Sequence, residues 1–238
     1  MNKGYRCLSQ EALKLIACLT MFIDHLGASV VPMLPFSFMP DLYYACRIIG
    51  RLAFPIYAFL IAQGVKHTGR EGKYLLRLAV GFLLSELPFD ILFKGGFTWE
   101  YQNVYLTLLL GAGLLMLQKR VKDPWFRVLL LLPFALAADF FRTDYGGMGV
   151  AMIAVFGMTD KVWAQAFGCL VCNCLVVSAK VRFFGFGVPV QLFAVPAMVF
   201  IGLYSGRKLL KSRMLQWGFY LFYPVHLLLL WVLQQFLR

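Results

Sequence analysis

LKLIACLTMFIDHLGASVVPM, residues 13–33, is the stretch that decides the fold. A helix needs about 20 apolar residues to cross a bilayer, and this run has that length. No small-residue cleavage site follows it, and it holds Lys14, Asp24 and His25, which a disposable signal peptide would not carry. It therefore reads as a retained first span. The rest of the chain is built alike: 61% of the residues are hydrophobic and 14% charged, against about 45–50% and ~25% in soluble domains. The mean hydropathy is +0.74. Hydropathy and turn signals divide the chain into spans near 11–31, 43–63, 73–93, 103–119, 125–140, 147–160, 162–179, 188–205 and 216–236. Only Thr159-Asp160-Lys161 separates the sixth from the seventh, so these are two short spans or a hairpin that does not fully cross. With no long polar stretch, residues 1–238 read as one domain, an all-α polytopic transmembrane helix bundle of about nine spans.

The net charge of +12 would suggest nucleic acid in a soluble protein. Here the charge lies in short loops, where it sets topology and meets anionic lipid headgroups, so no nucleic-acid partner is expected. One side carries Lys3, Arg6, Lys66, Arg70, Lys73, Arg77, Lys119, Arg120, Lys122, Arg127, Lys161, Arg207, Lys208, Lys211 and Arg213. The other carries Arg47, Arg51, Lys94, Arg142, Lys180, Arg182 and Arg238. The richer side is cytoplasmic, which places the amino terminus inside and the carboxyl terminus outside.

Cys169, Cys172 and Cys174 form C-x-x-C-x-C inside the apolar run CLVCNCLVV, without a flanking His or turn. They read as small, soft packing residues, and no metal is expected.

Ionisable residues within spans cost about 2.5–3.5 kcal/mol on insertion scales, which marks them as functional candidates. Lys14 and His25 are eleven residues apart, so they share one stripe of the first helix about 16 Å apart along its axis. Asp24 lies about 100° around from His25 and reaches it only through a local rotamer or a neighbouring helix. A neutral imidazole can take a proton from a hydroxyl or amine nucleophile, and a His satisfied by inter-helix hydrogen bonds is the plainer alternative. Arg47 and Arg51 share a face near the outer end of the second span, with Gly50 between them and Pro55 beyond. Paired guanidiniums suit phosphate or carboxylate; alternatively they neutralise Asp139 or Asp144, as Arg142 would. Further polar positions are Glu86, Asp90, Asn103, Thr107, Asp144, Tyr145 and Gln191, with Tyr223 and His226 on one face of the last span. Together they suggest a polar cavity open to the outside, with His25 and His226 projecting into it. His67, in a basic loop, reads as solvated. The chain has no P-loop, HExxH, GxSxG or dinucleotide fingerprint.

Seven blocks carry a family resemblance: LKLIACLTMFIDHLG, RIIGRLAFPIYAFLIAQGVKHT, KYLLRL, SELPFDIL, NVYLTLLLG, DYGGMGV and FYLFYPVHLLLL. In order and spacing they resemble the TraX family from about residue 10 to 232. That resemblance implies a multi-pass protein of the bacterial cytoplasmic membrane that moves an acetyl group from acetyl-CoA to an acceptor, as the pilin acetylase of that family does. A weaker likeness, to membrane acyltransferases of the third type, rests on a Lys or Arg followed by a His at the spacing of Lys14 and His25. It implies His25 as the catalytic base, assisted by Lys14 and the adjacent Asp24. Substrate contacts would come from Arg47, Arg51, Asn103, Asp144, Tyr223 and His226. The nucleotide of CoA would meet Lys66, Arg70, Lys73 and Arg77 on the cytoplasmic side. The acceptor, a peptide, lipid, glycan or other cell-surface molecule, stays open, as does N- versus O-transfer. A small-molecule or lipid transporter using the same cavity, and a non-enzymatic assembly partner, are the alternatives.

Overall fold

The computed structural model describes residues 6–35, 38–176, 178–183, 186–209 and 213–238. Lys3 and Lys211, two of the residues that set the charge asymmetry, lie outside them. Helix α1 (Gln10–Ser29) starts where the Ser9 hydroxyl accepts from the Ala12 amide at 3.1 Å, and a 3-10 turn extends it to Met33. The second apolar segment, Pro40–His67, is divided into α2 (Met39–Gly50) and α3 (Ala53–His67). The break has a local cause: Pro55 has no N–H for the carbonyl of Arg51, four residues earlier. There follow α4 (Glu71–Lys94), with Pro88 inside it, α5 (Val104–Gln118), α6 (Pro124–Leu129) and α7 (Leu131–Phe140). The chain continues through α8 (Gly146–Met158), α9 (Val162–Leu175), α10 (Ala197–Gly202) and α11 (Arg213–Leu237).

These helices follow the nine expected segments in order, the second and the fifth each divided in two, with two further differences. Among the described residues, three segments are long and apolar enough to cross a membrane by length and composition: Gln10–Met33, Pro40–His67 and Trp217–Leu237. The apolar helices at 104–118, 146–158 and 162–175 are shorter, as is the segment 190–202, a 3-10 turn followed by α10. A helix of 13 residues is about 20 Å long, less than the ~30 Å hydrocarbon core. The second difference is a β-hairpin, β1 (Lys180–Phe183) paired antiparallel with β2 (Phe186–Pro189), which takes up the expected loop between the seventh and eighth segments and the first residues of the eighth. Valine and phenylalanine favour the extended chain there, and Pro189 and Pro196 delay the next helix.

Helix α3 is the hub, packed against α1, α5, α8 and α10, while α11 covers α1 and α4. The polarity is that of a protein in lipid. Asp24, His25, Glu86, Asn103, Gln165 and His226 are buried, while Leu83, Leu87, Trp125, Phe140, Leu229 and Phe236 face outward. Loop contacts also sort by end. At one end Lys66 pairs with Asp160, Arg120 with Glu71, and Ser205 with Leu8. At the other, Tyr101 binds Asp144, Gln102 pairs with Thr143, and the Gln191 amide donates to the Ser178 hydroxyl. Apart from the bond between Ser178 and Gln191, which closes a single loop, each contact joins segment ends that nine alternating segments put on the same side.

Candidate functional site

A cavity of about 490 Å³ runs through the middle of the bundle. Its lining begins with Gln10 and Lys14 near the start of α1, where Tyr74 and Tyr220 also contribute. It continues past His25, Tyr57, Tyr105 and Tyr223 to Asp24, Arg47, Arg51, Tyr101, Asp144 and Tyr145. From Gln10 to Asp24 the helix rises about 21 Å. The cavity is therefore a passage along α1 rather than a pit at one end.

The far wall is an ion network. Arg47 Nη1 donates to Asp24 Oδ2 at 2.7 Å. Arg51 Nη2 reaches both oxygens of the same carboxylate, at 2.7 and 2.8 Å. Arg51 Nη1 donates to Gln191 Oε1 at 3.2 Å, and Gln191 Nε2 in turn donates to Asn173 Oδ1 at 3.0 Å. Gly50 makes this possible: a Cβ there would lie 2.1 Å from Asp24 Oδ1. The arginines thus neutralise Asp24 and are not bridged to Asp139 or Asp144. Asp24, for its part, does not orient His25, because both its oxygens are taken by guanidiniums.

Asp144 accepts from the Tyr101 hydroxyl at 3.0 Å in the turn before α8. Burial pushes its carboxyl above the ordinary range, with the Arg51 charge and the Tyr101 bond pulling the other way. The Tyr101 phenol is raised in turn, first by the Asp144 carboxylate and then by burial. Next to it, Tyr145 adopts a left-handed backbone (φ 68°) and stacks on Phe54 at 3.7 Å, with the Arg51 guanidinium 5.9 Å from its ring centre. Left-handed tyrosine is uncommon, and the turn holds it here at the cavity wall.

His25 lines the cavity and its Nδ1 lies 2.7 Å from His226 Nε2. Phe93 and Tyr223 meet its ring edge-on, at 5.5 and 5.8 Å between centres. His226 is 2% exposed and does not line the cavity; it stands behind His25, contrary to the expectation that it faces the interior space. Lys14 lines the same passage, its ammonium 5.1 Å from the centre of the Phe219 ring. The Tyr223 hydroxyl is buried, faces the cavity region and has no acceptor for its proton among the described residues.

Asn103, expected among the substrate contacts, is fully buried away from the cavity and serves the fold. Its Oδ1 accepts from the Tyr105 amide at 3.0 Å, capping α5, while its Nδ2 binds Glu86 and the Phe82 carbonyl. The basic group falls into parts. Lys66 is paired with Asp160 at 2.5 Å, Arg70 and Lys73 are exposed, and Arg77 stands 5.8 and 6.0 Å from the Tyr74 and Tyr220 ring centres at the near end of the passage. His67 is exposed, as expected, but it ends α3 rather than lying in the loop, and it bonds the Gln63 carbonyl at 2.8 Å. Tyr57, Tyr101 and Tyr105 line the cavity without having been singled out. Their signal was weak: a tyrosine within an apolar span differs from phenylalanine by one hydroxyl, which hydropathy hardly registers. Cys169 and Cys172 are buried and Cys174 is exposed. Among the described residues no three His, Cys, Asp or Glu side chains are grouped to hold a metal.

Residues 9–234 match a family model described as TraX protein. A protein described as "Probable fimbrial assembly protein FimC, serogroup H1", from Dichelobacter nodosus, is 27% identical over 242 residues. That alignment covers 95% of this chain and 96% of the relative. No solved structure matches.

Proposed function

Because the chain belongs to the TraX family over residues 9–234, we propose that it is an acetyltransferase of the bacterial cytoplasmic membrane, amino terminus inside, with acetyl-CoA as donor. The observation that carries this reading is the shared cavity, in which the Lys14 ammonium and the His25 imidazole line one passage at two depths. Their separation, about 16 Å along α1, is of the order of an extended pantetheine arm. The phosphates of CoA would stay at the cytoplasmic end, held by Lys14 at the mouth and by Arg70, Lys73 and Arg77 around it, with Lys66 first released from Asp160. The thioester would then reach His25.

The acceptor amine or hydroxyl comes from the other side. Arg47 and Arg51 also line a cleft of about 100 Å³ with Tyr43, Tyr44 and Gln191, which supports an outer route to the cavity. His25 takes the acceptor's proton as its nitrogen or oxygen attacks the thioester carbon. The Tyr223 hydroxyl, whose proton has no other acceptor among the described residues, donates to the carbonyl oxygen as charge gathers there. The carbon–sulfur bond then breaks, and the proton held by His25 goes to the departing thiolate. Enclosure of both reactants supplies much of the acceleration. A relative named as a probable fimbrial assembly protein favours a surface-fibre subunit as the acceptor.

The test uses purified protein in lipid nanodiscs with labelled acetyl-CoA and candidate pilin peptides, glycans and lipids. Wild-type protein should pass label to one of them. His25→Gln should elute as a folded monodisperse species and lose about 10²–10⁴-fold in rate. Full activity of that variant would end the reading.

A further inference from the structure

We infer that His226 fixes the tautomer of His25, so that the two imidazoles act as one proton acceptor whose free lone pair is His25 Nε2. This positioning role rests on the acetyl-transfer reading and adds to it a residue that never touches substrate. His226 Nδ1 lies 2.8 Å from the Phe222 oxygen, and a carbonyl can only accept, so the hydrogen is on Nδ1. In neutral His226, Nε2 is then bare. That bare nitrogen is 2.7 Å from His25 Nδ1, so the His25 hydrogen must sit on Nδ1 to make the bond. What is left is an unprotonated His25 Nε2 on a ring that lines the cavity.

The ring geometry suits this chain of donors. The two planes differ by 5° and the ring centres are 5.0 Å apart. Parallel rings in face-to-face contact could not bring nitrogens to 2.7 Å, so the imidazoles meet edge to edge in nearly one plane. The hydrogen bond therefore runs along the line between them, the orientation in which it is strongest. Phe222, its ring centre 4.8 Å from that of His226, and Phe22, at 6.2 Å, hold the second ring in place.

A carboxylate usually occupies the position of His226 in such arrangements. The one carboxylate adjacent in sequence, Asp24, is spent on Arg47 and Arg51. An imidazole orients as well while adding no net charge, which a buried, water-poor site would penalise. During transfer, His25 Nε2 gains the acceptor proton and its Nδ1 hydrogen stays shared with His226 Nε2. When the C–S bond breaks, the thiolate takes the proton from His25 Nε2, and both rings return to their starting tautomers. No external acid, base or redox partner is needed.

The chain has three histidines, so imidazole ¹⁵N spectra of histidine-labelled protein in nanodiscs can be assigned by single variants. The expected spectrum shows His25 and His226 both protonated at Nδ1 and bare at Nε2. His25 protonated at Nε2 in the resting protein would overturn the inference, and this measurement needs no variant to fold beyond those used for assignment. His226→Gln, whose amide oxygen occupies the place of Nε2, should keep the His25 tautomer and most of the rate. His226→Phe should release the tautomer and lower kcat about 100-fold with KM for acetyl-CoA unchanged. A released tautomer with unchanged kcat would refute the role. Should the tautomers be as stated while no acceptor is ever acetylated, the acetyl-transfer reading fails and the hydrogen-bond assignment stands.

Discussion

Asp24→Asn removes one negative charge from between two guanidiniums, and its cost can be worked from the geometry. The carboxylate receives three bonds of 2.7–2.8 Å from Arg47 and Arg51. Asparagine keeps one acceptor oxygen and turns an NH2 toward N–H donors. The side chains of Asp24, Arg47 and Arg51 are 10%, 25% and 11% exposed, so Arg51 is left nearly without water and without the carboxylate bonded to it, and Asp144 acts on it only through space. Removing one partner of a buried pair costs about 3–5 kcal/mol. With about 2–4 °C per kcal/mol for a chain of this size, the midpoint of heat-induced aggregation in detergent should fall by roughly 10 °C. The companion variant decides the cause. Asp24→Asn combined with Arg51→Gln removes the stranded charge and leaves Arg47, the more exposed of the two, to reach the headgroups. That pair should recover at least half of the loss. A single variant as stable as wild type, or a double variant no better than the single, would refute the claim that this ion network holds α1 against α2.

Other expectations are open to direct measurement. Gly50→Ala would put a methyl group 2.1 Å from Asp24 Oδ1, and the helices must part. Stability should fall at the upper end of about 1–3 kcal/mol, visible as a lower melting midpoint, and an unchanged midpoint would show that α1 and α2 are not so closely packed. Lys14→Gln should raise the KM for acetyl-CoA about tenfold through loss of a charged contact, with a smaller change in kcat; a collapse of kcat at constant KM would move Lys14 into the chemistry. For orientation, cysteines are introduced at Lys94 and at Lys122 after replacing the exposed Cys7 and Cys174. In intact cells an impermeant maleimide should label position 94 and spare position 122, and the reverse pattern would invert the topology.

Much of the architecture was legible in the chain itself, because its determinants are local. Length and hydropathy mark each apolar segment, proline at 55 breaks the second, and short-range periodicity puts Lys14 and His25 on one stripe. Charge counted over short loops gives the order of sides, and the same-end contacts of Lys66 with Asp160 and of Tyr101 with Asp144 agree with it. The loop near 180–187 was legible but its pairing into a hairpin was not, since so short a stretch carries no period that tells a strand from a connection.

Which polar residue meets which was decided only by the folded bundle. Arg47 and Arg51 were matched in the sequence with Asp139 or Asp144, and it is Gly50, by letting α2 close on α1, that gives them Asp24 instead. Asn103 looked like a substrate contact and proves to be a helix cap for α5. His25 and His226 are 201 residues apart in the chain, and no periodicity links them. The sequence by itself thus determined that costly polar groups lie within the apolar helices, since each must be offset somewhere. The partner that offsets each one depends on which helices adjoin and at what depth, and that is a property of the packed structure alone.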